Sequence, residues 1–335
     1  MVLKQILYLG HWIIKLDMPT FISFLNYAQK KSNRTKVGIL LDIVYCVLHY
    51  KMSIMEYFHF NFFLIGKEER EKYVGTPAMR GYQFKMNPKS EWYILHNKLK
   101  FHEFYAAFIK HSYATLADFQ ANNESAKRVL YNKSGKIVLK SIYGECGIGI
   151  EVMSVTGLDS EAIVKRLKET GNDFAEENVV QHKDLMRLSP SGVNTLRIIT
   201  QLNNNDEVEI IGTIQRISIN SVVDNMAAGN IAAPINLSTG IIEGPACYKD
   251  ITKPDENYHP ITGVKIVGFQ IPYWKETLQT AKDVALYNKK NRSIGWDIAV
   301  TENGPDIIEG NHDWCKLLWQ IPGKRGLKSL IESYL

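Results

Sequence analysis

The sequence has few cysteines and lacks the usual patterns of metal ligands. Its 335 residues include four cysteines that lie far apart along the chain, Cys46, Cys146, Cys247 and Cys315. Because no Cys-x-x-Cys pair is present, neither a disulfide scaffold nor a structural zinc site is favoured, and a reducing compartment is the simplest interpretation. The nine histidines form neither an HExxH nor an HxH pattern.

The chain also lacks a strong charge of either sign. Its formal net charge is +5 and its isoelectric point is about 8.8, and segments such as KEEREK (67–72) mix both signs. Nucleic acid is therefore not an expected partner, whereas a small polyanion such as a nucleotide fits this balance. With 45% hydrophobic residues, the chain can form a sizeable core in one large or two medium domains.

No stretch is long and apolar enough to predict a transmembrane helix. The apolar start (1–16) has no small-residue cleavage site, and it is interrupted by Lys15 and Asp17. The next apolar run, VGILLDIVYCVLHY (37–50), is too short to span a bilayer and contains an aspartate and a histidine. We therefore expect a soluble cytoplasmic protein, with contact between a membrane surface and the first 65 residues left open.

Hydrophobic periodicity divides the chain into three parts. The first part, residues 1–90, is expected to be mostly helical, because apolar residues such as Ile39, Ile43 and Val47 recur at helical spacing. Only the stretch 75–90, which combines glycine, proline and asparagine, is expected to be an irregular connection.

The second and third parts contain strands. In residues 91–190, KIVLK (136–140) predicts a buried strand and SEAIVKRLKET (160–170) predicts a helix that ends at Gly171, which together suggest an α/β unit. Residues 191–335 are predicted to be mainly strands. Their clearest elements are two strands around the turn NNND (194–202 and 207–218) and one late helix (274–291).

A predicted hairpin near the C-terminus, GWDIAVTENGPDIIEGN (295–311), carries polar side chains where a buried strand would have apolar ones. Asp297 lies on a strand face of small residues, and Glu309 and Asn311 are two apart and so share a face. A three-residue turn (302–304) would pair Asp297 with Glu309.

Two opposed carboxylates repel each other unless a cation lies between them, and Mg²⁺ prefers oxygen ligands of this kind. The alternative is a hairpin edge that faces solvent. A shift of the turn by one residue would place the two acids on opposite faces and remove the metal interpretation.

An aspartate followed twelve positions later by E-x-N, on strands after a helix, resembles the metal-binding end of the ATP-grasp superfamily. VLKSIYGECGIG (138–149) resembles its strand-borne lysine and glycine-rich phosphate loop, and HNKLKF (96–101) its earlier lysine segment. Four further segments closely resemble the sugar-transfer-associated ATP-grasp proteins, which are linked to bacterial surface-polysaccharide loci: NTLRIIT, QRIS, VDNMAAGN and HPITGVKIVGFQIPYW. The resemblance covers roughly residues 60–320.

This resemblance implies an α+β protein with the ATP-grasp fold, in which two α/β subdomains clasp ATP. Residues 1–90 would form a helical N-terminal region. Residues 91–190 would form the N-terminal or lid subdomain with the glycine-rich phosphate loop, and residues 191–335 the C-terminal subdomain with the metal site.

The resemblance also assigns roles to individual residues. Lys98 and Lys140 would hold ATP phosphates, and the loop 144–149 would cover them with backbone N–H groups. In the adenine hinge (174–184), Glu176 would face the sugar or the adenine amino group, and Val179 would contribute a backbone contact. The cofactor-binding residues are thus Lys98, Lys140, Gly144, Gly147, Gly149, Glu176 and Val179.

The remaining roles concern catalysis and metal. Arg197 and Arg216 would neutralise phosphate or acyl-phosphate charge, and Asn225 would line the same end of the site. One or two Mg²⁺ ions, or Mn²⁺, would be held by Asp297, Glu309 and Asn311.

Two features depart from the family pattern. Ala227 and Ala228 stand where two adjacent glycines are usual, and the phosphate loop contains Glu145 and Cys146. Cys146 is interpreted as a small turn residue rather than a nucleophile.

Structural interpretations compete with some of these roles. Lys140 could extend from a core edge, although the glycine loop that follows favours phosphate binding. Arg197 in an apolar strand needs either an internal acid or a bound anion, of which we favour the anion. His312 and Asp313 are equally well explained as supports of the metal site or as residues without a role in it.

The implied activity is an ADP-forming ligation in bacterial polysaccharide or cell-surface glycan biosynthesis. A small carboxylate would attack the γ-phosphate of ATP, and the acyl-phosphate would then react with an amine or a sugar-linked acceptor. Two alternatives are a phosphotransferase acting on a sugar hydroxyl and a non-catalytic nucleotide-binding accessory protein. A peripheral association with membrane polysaccharide machinery is left open.

Overall fold

The computed structural model describes residues 2–144, 147 and 149–335. The first part of the chain is helical: α1 (Val2–Ile14), α2 (Met18–Ser32), α3 (Lys36–His49), α4 (Ile54–His59), α5 (Lys67–Arg70) and α6 (Thr76–Met86). Side chains cap several of these helices, since Asp17 accepts from the Thr20 N–H at the start of α2, and Thr35 accepts from the Gly38 N–H at the start of α3. Aromatic and aliphatic residues of α2, α3 and α4 form a core of their own.

Helix α6 corrects the prediction of an irregular connection at 75–90. Pro77 lies in the first turn of α6, where a missing N–H costs nothing because that group has no partner within the helix. Met79, Tyr82 and Met86 are buried at helical spacing. The packing of these three side chains outweighs the glycine and proline that suggested a break.

A four-stranded antiparallel sheet follows, in the order β1-β4-β2-β3. Its strands are β1 (Tyr113–Thr115), β2 (Lys136–Lys140), β3 (Glu151–Ser154) and β4 (Phe174–Glu177). The helices of this part are α7 (Trp92–His96), α8 (Lys98–Phe104), α9 (Leu116–Gln120), α10 (Glu124–Leu130), α11 (Ser160–Thr170) and α12 (Lys183–Leu188). The predicted strand at 136–140 and the predicted helix at 160–170 are confirmed, and α11 ends at Gly171 with φ at 71°.

A six-stranded antiparallel sheet forms the last part, in the order β10-β9-β5-β6-β7-β8. Its strands are β5 (Leu196–Leu202), β6 (Val208–Ile217), β7 (Ile231–Pro234), β8 (Cys247–Tyr248), β9 (Ser293–Thr301) and β10 (Gly304–Asn311). The helices α13 (Trp274–Tyr287), α14 (Lys316–Gly323) and α15 (Lys328–Glu332) complete the chain. The predicted strands around the NNND turn and the predicted late helix are confirmed.

The two faces of the large sheet differ. Residues such as Ile198, Trp296 and Ile298 face the core that includes α13. The alternate positions, including Arg197 and Asp297, lie on the other face, where the two-residue period of a strand places them together.

No helix among the described residues combines the length and the apolar character that crossing a membrane requires.

Candidate active site

A cleft of about 780 Å³ lies between the two sheets and is lined by residues of both. This volume is within the usual range for small-molecule sites. The lining includes all but one of the predicted site residues: Lys98, Lys140, Gly144, Gly147, Glu176, Val179, Arg197, Arg216, Asn225, Asp297, Glu309 and Asn311. The exception is Gly149, which does not line the cleft; its carbonyl accepts a hydrogen bond from Asn172 at 3.2 Å.

The β9–β10 hairpin carries the three predicted metal ligands. Its turn has two residues (302–303) rather than the predicted three, so regular pairing would place Ile308 opposite Asp297. A β-bulge between Ile307 and Glu309 shifts the register by one residue, and Asp297 therefore pairs with Glu309. The predicted turn is wrong, but the pairing of the two acids is as predicted, and both face the cleft.

Both carboxylate oxygens of the buried Asp297 accept hydrogen bonds from arginines. Arg197 donates from Nε to Oδ1 at 2.5 Å and from Nη2 to Oδ2 at 2.9 Å, and Arg216 donates from Nη1 to Oδ2 at 2.6 Å. Burial alone would raise the pKa of Asp297, but the two guanidinium groups outweigh burial and hold it well below its ordinary value. Arg197 was predicted to pair with a bound anion. Its partner here is an internal acid, because β5 and β9 are neighbours in the sheet.

A second acid at the arginines was not predicted. Asp224 Oδ1 accepts from Arg216 Nη2 at 2.6 Å, and Oδ2 accepts from the backbone N–H and the hydroxyl of Thr195 at 2.7 and 2.6 Å. Its neighbour Asn225 uses its side-chain oxygen to accept from the Ala227 N–H at 3.1 Å. The position of Asp224 directly before a predicted site residue was the signal that could have found it.

The electrostatic surroundings of Glu309 differ from those of its partner Asp297. Burial and the adjacent charge of Asp297 raise the pKa of Glu309 above its ordinary value, because two carboxylates close together repel. Asn311 donates from Nδ2 to Glu309 Oε1 and to the Gly295 carbonyl, each at 3.3 Å, which leaves its amide oxygen available as a ligand. Two carboxylates and an amide oxygen on one strand pair are ligands of the kind that Mg²⁺ takes.

On the opposite wall, the ammonium group of Lys140 donates to Glu176, a buried carboxylate. The other oxygen of Glu176 pairs with His102 Nε2 at 2.8 Å. Burial would raise the pKa of Glu176, but Lys140, His102 and His111 hold it well below its ordinary value. Both oxygens of Glu176 are thus engaged within the protein. Glu176 also lines the cleft, and its contact with the sugar or the adenine amino group remains a prediction.

Sequence reasoning also missed the histidines behind Glu176. Ligand atoms of His102, His111 and Glu176 lie within 4.8 Å of one another, a spacing that could hold a metal ion. However, the Lys140 ammonium already supplies the cation beside this carboxylate. His111 Nδ1 pairs with Asp306 of β10 at 2.9 Å, so the cluster connects Lys140 to the large sheet. His102 follows Lys98 by four residues on α8, one turn away, and that spacing was the available signal.

Two glycines of the glycine-rich loop, Gly144 and Gly147, line the cleft. Lys98 donates from Nζ to the carbonyl of Gly144, the first residue of this loop. Gly147 has φ at +76°, and a Cβ on it would lie 2.9 Å from Cγ1 of Val223. A side chain at this position would force the loop or Val223 to shift, and the positive φ also favours glycine. The loop residues Glu145, Cys146 and Ile148 lie outside the described residues.

The comparison with known proteins decides the family. The family model described as sugar-transfer associated ATP-grasp matches residues 78–334. The chain belongs to this family. Its α+β architecture is therefore that of the ATP-grasp fold, as the sequence predicts. No curated protein is similar enough to match the chain.

The chain is also similar, at low identity, to several solved structures. D-cycloserine synthetase is 9% identical with a TM-score of 0.43, covering 75% of this chain and 74% of that one. The biotin carboxylase domain of 2-oxoglutarate carboxylase from Hydrogenobacter thermophilus is 13% identical with a TM-score of 0.42, covering 76% and 54%. D-alanyl-alanine synthetase A from Vibrio cholerae is 12% identical with a TM-score of 0.38, covering 65% and 55%. The chain thus spans about half the length of the last two.

In this ATP-grasp protein, the segment between β4 and α12 crosses from the small sheet to the large one. Gln181 forms a β-bridge with Thr301, and the His182 N–H donates to the Val300 carbonyl at 2.7 Å. Val179 lines the cleft beside this crossing. Its contact with adenine remains a prediction.

At the metal end of the cleft, His312 follows Asn311 and stacks on Trp92 with ring centroids 4.5 Å apart. Burial lowers the pKa of His312 to about 4, so the ring is neutral at physiological pH. Both His312 and Asp313 line the cleft. The position of His312 and Asp313 favours the interpretation that they support the metal site formed by Asp297, Glu309 and Asn311.

Proposed function

We propose that the protein is an ATP- and Mg²⁺-dependent, ADP-forming ligase that joins a carboxylate to an amine or a sugar-linked nucleophile. The observation that supports this is convergence in one cleft. Two lysines and a glycine loop from one side meet two arginines and a pair of opposed carboxylates from the other. Such a site can hold a polyphosphate and stabilise charge as it moves between oxygens, which is what phosphoryl transfer needs.

The phosphate-binding side consists of Lys98, Lys140 and the glycine loop. Lys140 would reach the phosphates from a fixed position, because Glu176 holds its ammonium group and His102 holds Glu176. Lys98 would exchange its bond with the Gly144 carbonyl for one with a phosphate oxygen. Gly147, packed against Val223, keeps the loop close enough for backbone N–H groups to contact the nucleotide.

The metal-binding residues would be Asp297, Glu309 and Asn311. One or two Mg²⁺ ions held there, or Mn²⁺, would neutralise part of the polyphosphate charge and draw electron density from the transferred phosphoryl group. The positive charge of the cation would offset the repulsion between Glu309 and Asp297. Asp297 can keep its arginines, since each carboxylate oxygen can accept more than one bond.

The acceptor side contains Arg197, Arg216 and Asn225. A substrate carboxylate would attack the γ-phosphorus, and the bond between that phosphorus and the ADP oxygen would break. The amine nitrogen would then attack the acyl carbon, phosphate would leave, and the nitrogen would lose a proton. The arginines would stabilise the oxyanions in both steps, so no covalent nucleophile from the protein is needed.

The setting is part of the proposal. The family description associates these proteins with sugar transfer, which supports a role in making or modifying a bacterial surface glycan. We place this activity in the cytoplasm, beside the membrane machinery that assembles the polysaccharide.

The test is ADP release with Mg²⁺, screened against amino acids, uronic acids and amino sugars singly and in pairs. The proposal expects release that needs a carboxylate together with a second substrate, and a product joined by an amide or ester bond. ADP release with a sugar alone, together with a phosphorylated sugar, would replace the ligase with a phosphotransferase. Binding of ATP without release in any mixture would reject turnover.

A further inference from the structure

Helix α3 is apolar on the side that faces away from the protein. Ile39, Ile43 and Val47 fill the helical core, as a surface helix requires. The opposite side, here called the α3 outer face, consists of the exposed residues Val37, Leu40, Leu41, Val44 and Tyr45. Val37 and Leu41 are 67% and 68% exposed. A contiguous apolar surface of this kind marks an interaction site rather than ordinary surface.

Neighbouring helices add to the exposed apolar area. The end of α1 exposes Ile13 and Ile14, the latter to 86%, and the start of α2 exposes Met18 and Ile22. Both helices pack against α3. Exposed apolar side chains are therefore present on three neighbouring helices.

The charge of the chain is concentrated in the same region. The first 51 residues contain seven lysines and arginines and two aspartates, a net charge of +5 that equals the net charge of the whole protein. The other 284 residues are balanced, with 33 basic and 33 acidic residues. Exposed lysines flank α3 at both ends, Lys36 at its first residue and Lys51 just beyond its last.

The outer face itself carries no acid. Asp42 is the single acidic residue of α3, and its carboxylate points inward to Arg34, Arg70 and Tyr57 at 2.7 to 2.9 Å. The result is an apolar stripe that is flanked by lysines and has no negative charge.

We propose that the α3 outer face binds the surface of an anionic lipid bilayer, with α3 lying parallel to that surface. Its apolar side chains would enter the boundary between headgroups and acyl chains, while the flanking lysines reach the lipid phosphates. Helix α3, 14 residues long, is suited to lie on a bilayer and not to span it. A second copy of the chain fits less well, because a twofold contact would bring equal positive charges together.

The experiment is vesicle flotation of the full-length chain with phosphatidylcholine alone and with added phosphatidylglycerol. We expect binding only to the phosphatidylglycerol vesicles, weakening as salt screens the lysines. Lys36→Gln and Lys51→Gln should each weaken binding about fivefold, the effect of one lysine near a charged membrane.

The decisive variant is Val37→Glu combined with Leu41→Glu, which places two charges on the α3 outer face without touching the core. The first of these substitutions lies in the first turn of α3, where negative charge favours the helix, so the variant should fold. We expect it to lose vesicle binding while its thermal unfolding and ATP turnover are unchanged. Ile261→Glu, at an exposed loop position of another part of the chain, is the matched control and should bind as the parent does.

Three outcomes would overturn the proposal. The first is the absence of binding to phosphatidylglycerol vesicles at low salt. The second is unchanged binding by the Val37→Glu, Leu41→Glu variant. The third is a dimer in analytical ultracentrifugation that this variant dissociates while vesicles remain unbound, which would assign the face to self-association. None of these outcomes depends on the ligase activity, so the two proposals can fail separately.

Discussion

Arg197 and Asp297 lie directly opposite each other on the neighbouring strands β5 and β9, and their side chains form an ion pair with two hydrogen bonds. Arg216 shares the same carboxylate from the far side of β5. Asp297 therefore neutralises buried arginines in addition to its proposed contact with metal. The neighbouring Glu309 has no such second task, and this difference separates the two acids experimentally.

Asp297→Asn should destabilise the protein by about 3 kcal/mol or more, because it leaves the buried Arg197 without its acid partner. Glu309→Gln should change the free energy of unfolding by less than about 1 kcal/mol, because Glu309 bonds to the neutral Asn311 and its replacement leaves no buried arginine without a partner. Chemical denaturation of both variants measures this difference. Equal stabilities would contradict the assignment of Asp297 as the arginine partner.

Glu309→Gln should also lower Mg²⁺-dependent ATP turnover by about 100-fold or more, because a neutral amide replaces a charged metal ligand. The loss of turnover is measured as the rate of ADP release at a series of Mg²⁺ concentrations. Since this variant is expected to fold normally, unchanged turnover would reject the metal site and not reflect instability.

Lys98→Ala should raise the KM for ATP about tenfold or more, because a charge-assisted hydrogen bond contributes about 1.5–3 kcal/mol. The matched control is Lys100→Ala, two residues further along α8. Lys100 is exposed, pairs with Glu103 at 2.8 Å and does not line the cleft. If both variants raised KM equally, the effect would come from general surface charge and not from a phosphate contact.

Gly147→Ala should reduce kcat/KM for ATP, because its new Cβ would push the loop away from Val223. Gly157→Ala is the control for backbone strain, since Gly157 has nearly the same φ, +75°, but open space at its Cβ position. Both substitutions introduce the same backbone strain of about 1–2 kcal/mol, because alanine disfavours the left-handed conformation. Only the difference in kcat/KM between the two variants therefore reports on the contact with Val223. Adding Val223→Ala to Gly147→Ala should restore part of the activity. Lack of any recovery would show that contact with Val223 does not position the loop.

The helical part of the chain should lose stability at acidic pH through Asp42. Burial would raise the pKa of Asp42, but its bonds with Arg70, Arg34 and Tyr57 lower it from 3.8 to about 2. A carboxyl whose pKa is lower in the folded state stabilises the protein above its unfolded pKa, and this stabilisation is lost as pH falls from 3.8 toward 2. Asp42→Asn should therefore lower the melting temperature at neutral pH. The difference in melting temperature between Asp42→Asn and the parent should shrink as the pH falls through that window. The control Asp283→Asn, at an exposed position, should have the melting temperature of the parent at every pH.

Local elements could be predicted because their signals lie within a few residues. The short apolar run of KIVLK, the cap at Gly171 and the NNND turn each specify their element without distant partners, and β2, α11 and the β5–β6 hairpin match them. The same local logic failed at α6. Proline and glycine suggested a break, whereas long-range packing of Met79, Tyr82 and Met86 stabilises a helix.

Some features of the candidate site could likewise be predicted from local sequence, whereas others could not. Motifs were sufficient to nominate the lysines, arginines and metal ligands, and the structure brings nearly all of them into one cleft. Which group neutralises which charge was decided only by the tertiary structure. Arg197 meets Asp297 across 100 positions of sequence, and Lys140 meets Glu176 across 36. A buried charge takes whichever partner the neighbouring strand brings within about 3 Å, and strand order is not encoded in any short segment.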